Sequence, residues 1–483
     1  MSKAHGGPSA LGRLACLYAM LTFVSLGALR AQQPAPQTPQ PETKQQPADA
    51  RQPGAGVQVR TGTASGFDTD TRLENLLADH QFIRIEQELD RLPAMQAQFY
   101  RGILANRNND LKKSIELLEP LADEIAASGD KRREKLLRKA LAEDFLREGD
   151  WSKAANAYQT LETRLGAKLT GDEQDEIEMP LKMLPLARDN PPMTVDPCDP
   201  FELPVSRNPL GLTDIPVFVD ARPHSWMLDP TAPFNLIARS LAKQAGLTVS
   251  AEVVTIHTLT GRPIQMHATV IPRFTIGGQL TMRNLTAFVY EDNDYFFPQT
   301  QFQVEGVLGY AALEALGSLT VTGNDTVFIR PGKQIAPAEK DDKLTDGVRF
   351  FFDGDQIIVA LGANAGEERM FAIDAGGQQT YLTSRYYDEH TADFASQKMQ
   401  LYTFRGPVTI APVPAYTAET VPLAVGTMSI DVHFIPVLTQ PQGSAALDDV
   451  YGLLGVDALD QFGSYTFDYR TMRFSVRPNQ ARE

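Results

Sequence analysis

Two distant segments of this chain are written on one pattern. Gly306-Val307-Leu308-Gly309-Tyr310-Ala311-Ala312-Leu313-Glu314-Ala315-Leu316-Gly317-Ser318-Leu319-Thr320 lies over Gly452-Leu453-Leu454-Gly455-Val456-Asp457-Ala458-Leu459-Asp460-Gln461-Phe462-Gly463-Ser464-Tyr465-Thr466, with Gly, Leu-Gly, Ala-Leu, Gly-Ser and Thr recurring without a gap. Upstream of each an apolar run closes on an aspartate, Trp226-Met227-Leu228-Asp229 and Phe371-Ala372-Ile373-Asp374, and the interval from Asp229 to Gly309 matches that from Asp374 to Gly455 within one residue. Landmarks spaced so evenly require one folding unit used twice between about Ile215 and Val476.

Within each copy the chain runs in short apolar or alternating stretches cut by Gly, Pro, Asn and Asp, the signature of strands and turns. Ile215 to Val219, Glu252 to Thr258, Ala268 to Ile276, Ala287 to Tyr290 and Leu319 to Ile329 read as strands of the first copy. Each copy has a polar turn that can tip a hairpin, at Gly261 and Gly406, and a glycine strand break, at Ile276-Gly277-Gly278 and Val425-Gly426-Thr427. Beyond each Asp lies a short helix-like or extended segment, Pro233 to Ala238 and Gln378 to Thr383.

A chain of 483 residues is expected to hold two or three domains. Residues 1–31 read as a secretory signal peptide: Lys3 and Arg13 precede the apolar stretch Leu14 to Leu29, which the small residue Ala31 closes. Residues 32–68 are poor in large apolar side chains and read as a disordered Pro/Gln-rich linker. Residues 69–187 carry Leu, Ala, Ile and Glu at helical spacing. Two stretches there are alike, Asn109 to Leu118 and Gly149 to Tyr158, each with a small residue (Ser114, Ala154) followed by a large one (Leu118, Tyr158). They resemble tetratricopeptide repeats. Their interval exceeds the usual period of about 34 residues, which implies an insertion around Asp130 to Glu134. A helical array of this kind is expected to dock a partner or a sister domain. A proline-rich passage, 188–208, reads as a boundary, with the two β-rich copies at 209–335 and 345–478.

A formal charge of -15 argues against nucleic acid, whose phosphates call for a basic surface. Of two cysteines, Cys198 alone would remain after signal cleavage, so no internal disulfide is expected. No Cys/His cluster or HExxH is present, and neither a metal nor a cofactor is expected. The expected location is exported, periplasmic or extracellular, with no integral membrane span after cleavage and a membrane tether if the signal is retained. The histidines show no ligand spacing, and Tyr295-Phe296-Phe297 reads as packing.

Strand, Asp-centred turn, glycine-tipped hairpin and apolar-apolar-Gly before a short helix, taken twice, resemble the retropepsin-like and pepsin-like aspartic proteases. The resemblance implies a multidomain chain: an N-terminal all-α tetratricopeptide-like domain, then an all-β double-lobed aspartic-protease-like domain. It implies Asp229 and Asp374 as the catalytic pair, Thr231, Gly376, Gly309 and Gly455 as supporting turn residues, and Gly261 and Gly406 as flap tips. Two carboxylates that share one proton can activate water and polarise a scissile carbonyl.

The family reads Asp, then Thr or Ser, then Gly, the hydroxyl bracing the opposite turn. Here the turns are Asp229-Pro230-Thr231-Ala232 and Asp374-Ala375-Gly376-Gly377. Pro230 and Ala375 carry no hydroxyl, Pro230 lacks an amide donor, and Thr231 stands where glycine is expected; bracing from Thr231 or Thr380 is left open. Two functions follow, an exported aspartic endopeptidase acting on polypeptide, or a non-hydrolytic peptide-binding module whose helical domain docks a protein partner.

Overall fold

The computed structural model describes residues 65–478 except 170, 258–262, 333–346, 355, 364–366, 407–408 and 441–449. The signal-peptide segment, residues 32–64 of the expected linker and Gly261 lie outside the described residues; residues 65–68, expected as the end of that linker, instead open the helix Ser65–Ala78.

The N-terminal region is helical from Ser65–Ala78 to Gly171–Arg188. Its centre is two successive hairpins, Ala94–Arg107 with Leu111–Leu118, and Lys131–Glu148 with Trp151–Leu165. Asp130 and Asp150 cap the second pair by accepting from the amides of Arg133 and Lys153 at 3.1 Å, the favoured use of Asp at a helix start. Ser114, Leu118, Ala154 and Tyr158 are all buried, so the repeated small and large residues do meet the core. Within the first hairpin it is Gly102 that allows close approach, since a Cβ there would lie 2.5 Å from Leu118. The expected insertion at Asp130 to Glu134 is not a loop. Asp130 is the cap and Lys131 opens a helix of 18 residues, while the first hairpin lengthens through the turn Glu119–Leu121 into Ala122–Ser128.

Among the described residues the rest is β-rich, in a nine-stranded and a thirteen-stranded sheet plus a two-stranded ribbon, Phe296–Phe297 with Phe302–Gln303. The same pairings occur in both halves. Strand Gly306–Leu308 runs parallel to Arg222–Leu228 and antiparallel to Leu236–Ala238. Strand Gly452–Leu454 runs parallel to Glu367–Ile373 and antiparallel to Tyr381–Leu382. The two glycine breaks are the turns of long hairpins, Pro263–Ile276 with Leu280–Tyr290 and Thr409–Val425 with Met428–Leu438. The segments after each Asp are strands that lead into short helices, Arg239–Gln244 and Ser384–Glu389. The halves join through Ser318–Thr322 and Ser464–Asp468, paired antiparallel so that Thr320 faces Thr466, its partner in the repeated sequence, with the hydroxyls 2.8 Å apart.

The proline-rich passage 188–208 is not a free linker. Phe201–Pro204 pairs with Thr326–Arg330 at the end of the thirteen-stranded sheet, and Thr194–Val195 pairs with the long hairpin of the first half. Proline is tolerated there because an edge strand leaves one row of amides without a ladder partner.

The helices cover the outer face of the second β-unit. Phe350 and Phe352 enter the core shared by the sheets, while Phe351, one residue out of phase, packs with the helices and lies 4.9 Å from Phe82 between ring centres. Ile358, Ala360, Met370 and Ala372 join Phe351 on that face. Strands buried on both faces read as continuous apolar runs, as Phe350 to Phe352 and Ile357 to Leu361 do. The turn after the first helix of the first hairpin reaches both β-units. Arg107 pairs with Asp353 at 2.8 Å, Asn108 with Arg349 at 2.6 Å, and Asn109 with Glu314 at 2.7 Å.

Candidate carboxylate pair

Each Asp ends a strand beside an apolar-apolar-Gly element that holds it. The Asp229 amide donates to Leu308 O at 3.1 Å and the Asp374 amide to Leu454 O at 2.9 Å. One turn later the Tyr310 amide donates to Ala232 O at 2.8 Å, and Val456 to Gly377 O at 2.9 Å. The glycines expected to support these turns stand where backbones nearly touch. A Cβ on Gly309 would meet Phe234 O at 2.3 Å, and one on Gly455 would meet the Gln379 carbonyl carbon at 2.6 Å. Their amides are held at 3.0 Å by Asn235 Oδ1 and Thr380 Oγ1 respectively, both buried. Thr380 therefore braces its own unit, and Asn235, which the sequence pattern did not single out, does the same job in the first.

The two turns meet at Gly376. A Cβ there would lie 2.1 Å from Asp229 Oδ2 and 3.5 Å from Asp374 Oδ1, which limits the separation of those oxygens to the sum of the two distances. A Cβ on Gly377 would lie 2.3 Å from Asp374 Oδ2. Asp229 Oδ1 accepts from the Thr231 hydroxyl at 2.6 Å and from the amides of Thr231 and Ala232, each at 3.0 Å.

Thr231 does more than hold its own aspartate. Its hydroxyl oxygen accepts from the Ala375 amide at 3.1 Å, so the first turn reaches the second through a side chain one position later than the family pattern has it. What reads in sequence as an intrusion at a glycine position is a contact between units. Ala375 offers no side-chain oxygen in return. The Tyr469 hydroxyl, which no local motif marks, donates to Pro230 O at 3.2 Å.

Burial pushes the Asp374 carboxyl up to about 7, with the Asp229 charge adding to the rise and the amides of Gly376 and Gly377 opposing it. Burial also raises Asp229, against the pull of Thr231, Ala232 and Gly376. Two carboxyls so placed take up one proton between them more readily than either would alone.

Gly406 pairs with Thr409 at the end of the hairpin Gln400–Gly406 with Thr409–Val425; in the first half Val254–His257 pairs antiparallel with Pro263–Ile276. Tyr295 packs against Tyr290 with the rings tilted at 50° and their centres 4.5 Å apart. Among the described residues no group of three or more His, Cys, Asp or Glu is arranged to hold a metal, and no helix is long and apolar enough to cross a membrane.

No curated protein matches the chain. A solved structure, basic 7S globulin from soybean, aligns with 58% of this chain and 95% of its own at 11% identity and a TM-score of 0.36. Residues 215–312 match the family described as Aspartyl protease. That span holds Asp229, Thr231 and Gly309, so an aspartic-protease-like domain follows the helical N-terminal region.

Proposed function

We propose that the two β-units are the lobes of an aspartic peptidase and that Asp229 and Asp374 hydrolyse peptide bonds. The observation that carries this is the convergence of both carboxylates on Gly376, with Asp374 raised to about 7 by burial and by its neighbour's charge. Asp229, whose Oδ1 receives three donors, is suited to stay ionised and take a proton from water. Asp374 is suited to hold the shared proton and donate it toward the carbonyl oxygen of the scissile bond. Export and a polypeptide substrate belong to the same reading. The test is to incubate the purified protein with an unfolded polypeptide from acidic to neutral pH beside Asp374→Asn. Cleavage that disappears with the substitution supports the pair; cleavage that survives it removes Asp374 from the reaction.

A second reading, a peptide-binding module without turnover, is favoured by the uneven bracing: Ala375 supplies no hydroxyl and Pro230 no amide. The family match also speaks to the fold of the first unit and not to turnover. Retained peptide binding with no cleavage at any pH would establish it. The helices, read as tetratricopeptide-like, act in either case first as a cover on the second unit, which leaves their opposite face for a protein partner.

A further inference from the structure

The contact from Thr231 to Ala375 runs one way, because the residue after Asp374 has no side-chain oxygen with which to reach back. The return contact comes from a residue far along the chain. Tyr469 follows strand Ser464–Asp468 of the second unit, and its hydroxyl donates to Pro230 O in the first unit's turn at 3.2 Å. The side chain has little freedom to do otherwise. It is 4% exposed, its amide is fixed to Gly317 O at 2.9 Å, and its ring packs 5.7 Å from Phe350 and 6.2 Å from Phe467. Burial, then the charges of Glu314 and Asp229, hold the phenol well above its usual range, so it remains a donor. Pro230 has no amide to donate, and on the peptide linking it to Thr231 the N–H is already given to Asp229 Oδ1, so the Pro230 carbonyl is the group that the other unit can hold.

The geometry points to Tyr469 as a positioning residue for the Asp229 carboxylate: from the second unit it supplies the return brace that Ala375 cannot. The 229–231 turn is then fixed at two adjacent residues, Pro230 through its carbonyl and Thr231 through its hydroxyl, both by groups of the other unit. Tyr469 acts through the turn and not on substrate. This rests on the carboxylate-pair reading, but it can be tested without turnover.

Tyr469→Phe keeps the ring in its packing and removes the donor. Thermal unfolding is expected close to that of the parent. With the turn released, Asp229 moves away from Asp374, and the Asp374 titration, followed by carboxyl carbon-13 resonances, shifts down from about 7 by the part that the Asp229 charge contributes, while burial still holds it above the ordinary carboxylate range. If the parent cleaves peptide, kcat falls roughly 100-fold with KM little changed, the scale of a small misplacement at a reacting group. A parent that cleaves nothing, together with a shifted titration in the variant, sinks hydrolysis and keeps the brace. An unchanged Asp374 titration in folded Tyr469→Phe overturns the inference. Should that variant unfold, 3-fluorotyrosine placed at 469 alone preserves ring and hydroxyl while changing donor strength; an unchanged Asp374 titration there overturns it equally.

Discussion

The Thr231 hydroxyl sits between Asp229 Oδ1, to which it donates at 2.6 Å, and the Ala375 amide, from which it accepts at 3.1 Å. One oxygen thus serves a carboxylate in one β-unit and the backbone of the other. Thr231→Val removes both bonds and leaves the buried Ala375 amide without its acceptor, a loss of about 1–3 kcal/mol. Asp229 is expected to titrate higher still, since a bond to its charged form is gone. Thr231→Ser keeps the oxygen and should restore most of both. Denaturant unfolding and carboxyl NMR of the two variants check this; equal behaviour of Val and Ser would mean the oxygen does not matter.

Gly376→Ala places a methyl 2.1 Å from Asp229 Oδ2, closer than a methyl carbon and a non-bonded oxygen can remain. Either the turn or the carboxylate must shift. Peptide cleavage is expected to fall by about 100-fold or more, and the Asp374 titration to move down as the two charges separate. Kinetics with a fluorogenic polypeptide, alongside circular dichroism to verify folding, measure the effect.

Asp374 also makes stability depend on pH. Its folded value of about 7 lies above the ordinary 3.8, so between those pH values the native state binds more protons than the unfolded chain. Stability therefore falls as pH rises through this window. Asp374→Asn removes the Asp374 share of that slope, leaving the share of the buried Asp229, and is expected to be more stable than the parent above pH 7, by at most about 4 kcal/mol. The difference should vanish below about pH 4. Melting curves across pH 3 to 9 test the sign.

The helix-to-sheet ion pair has the opposite sign. Burial would raise Asp353, but Arg107 and His80 outweigh it and hold the carboxyl well below its usual range. Its contribution is present above the ordinary 3.8 and lost as pH falls below it. Asp353→Asn should cost about 2 kcal/mol at neutral pH, under the range for a fully buried pair because the side chain is partly wetted. Double-mutant analysis with Arg107→Gln, by chemical denaturation, would show little coupling if the pair is idle.

Removing the helices uncovers Phe351, Ile358, Ala360 and Met370 on one sheet face. A chain beginning near residue 190 is expected to aggregate or bind a hydrophobic dye strongly, because an apolar patch of that kind is not left open on a soluble surface. Replacing Phe351 and Ile358 by Thr in that shortened chain should relieve it. Light scattering of both chains decides.

The sequence by itself determined the repeat, the aspartate in each copy, the glycines at Gly309 and Gly455 and the helical character of the N-terminal region. Each of these is written in local order: an apolar run that ends in Asp, a glycine where backbones touch, a period of small and large residues. The run Phe350 to Phe352 even carried the mark of a strand buried on both sides, a signal present but easily taken for an ordinary core strand. Only the tertiary structure decided how the two turns are tied. Thr231 meets Ala375 across 144 residues and Tyr469 meets Pro230 across 239. Contacts at such separation have no period and no motif, and a hydroxyl displaced by one position in the turn finds its partner only when both units have folded. The same holds for the helical cover, whose residues Phe82, Arg107 and Asn109 look like any solvent-facing or core residues until the sheet they press against is in place.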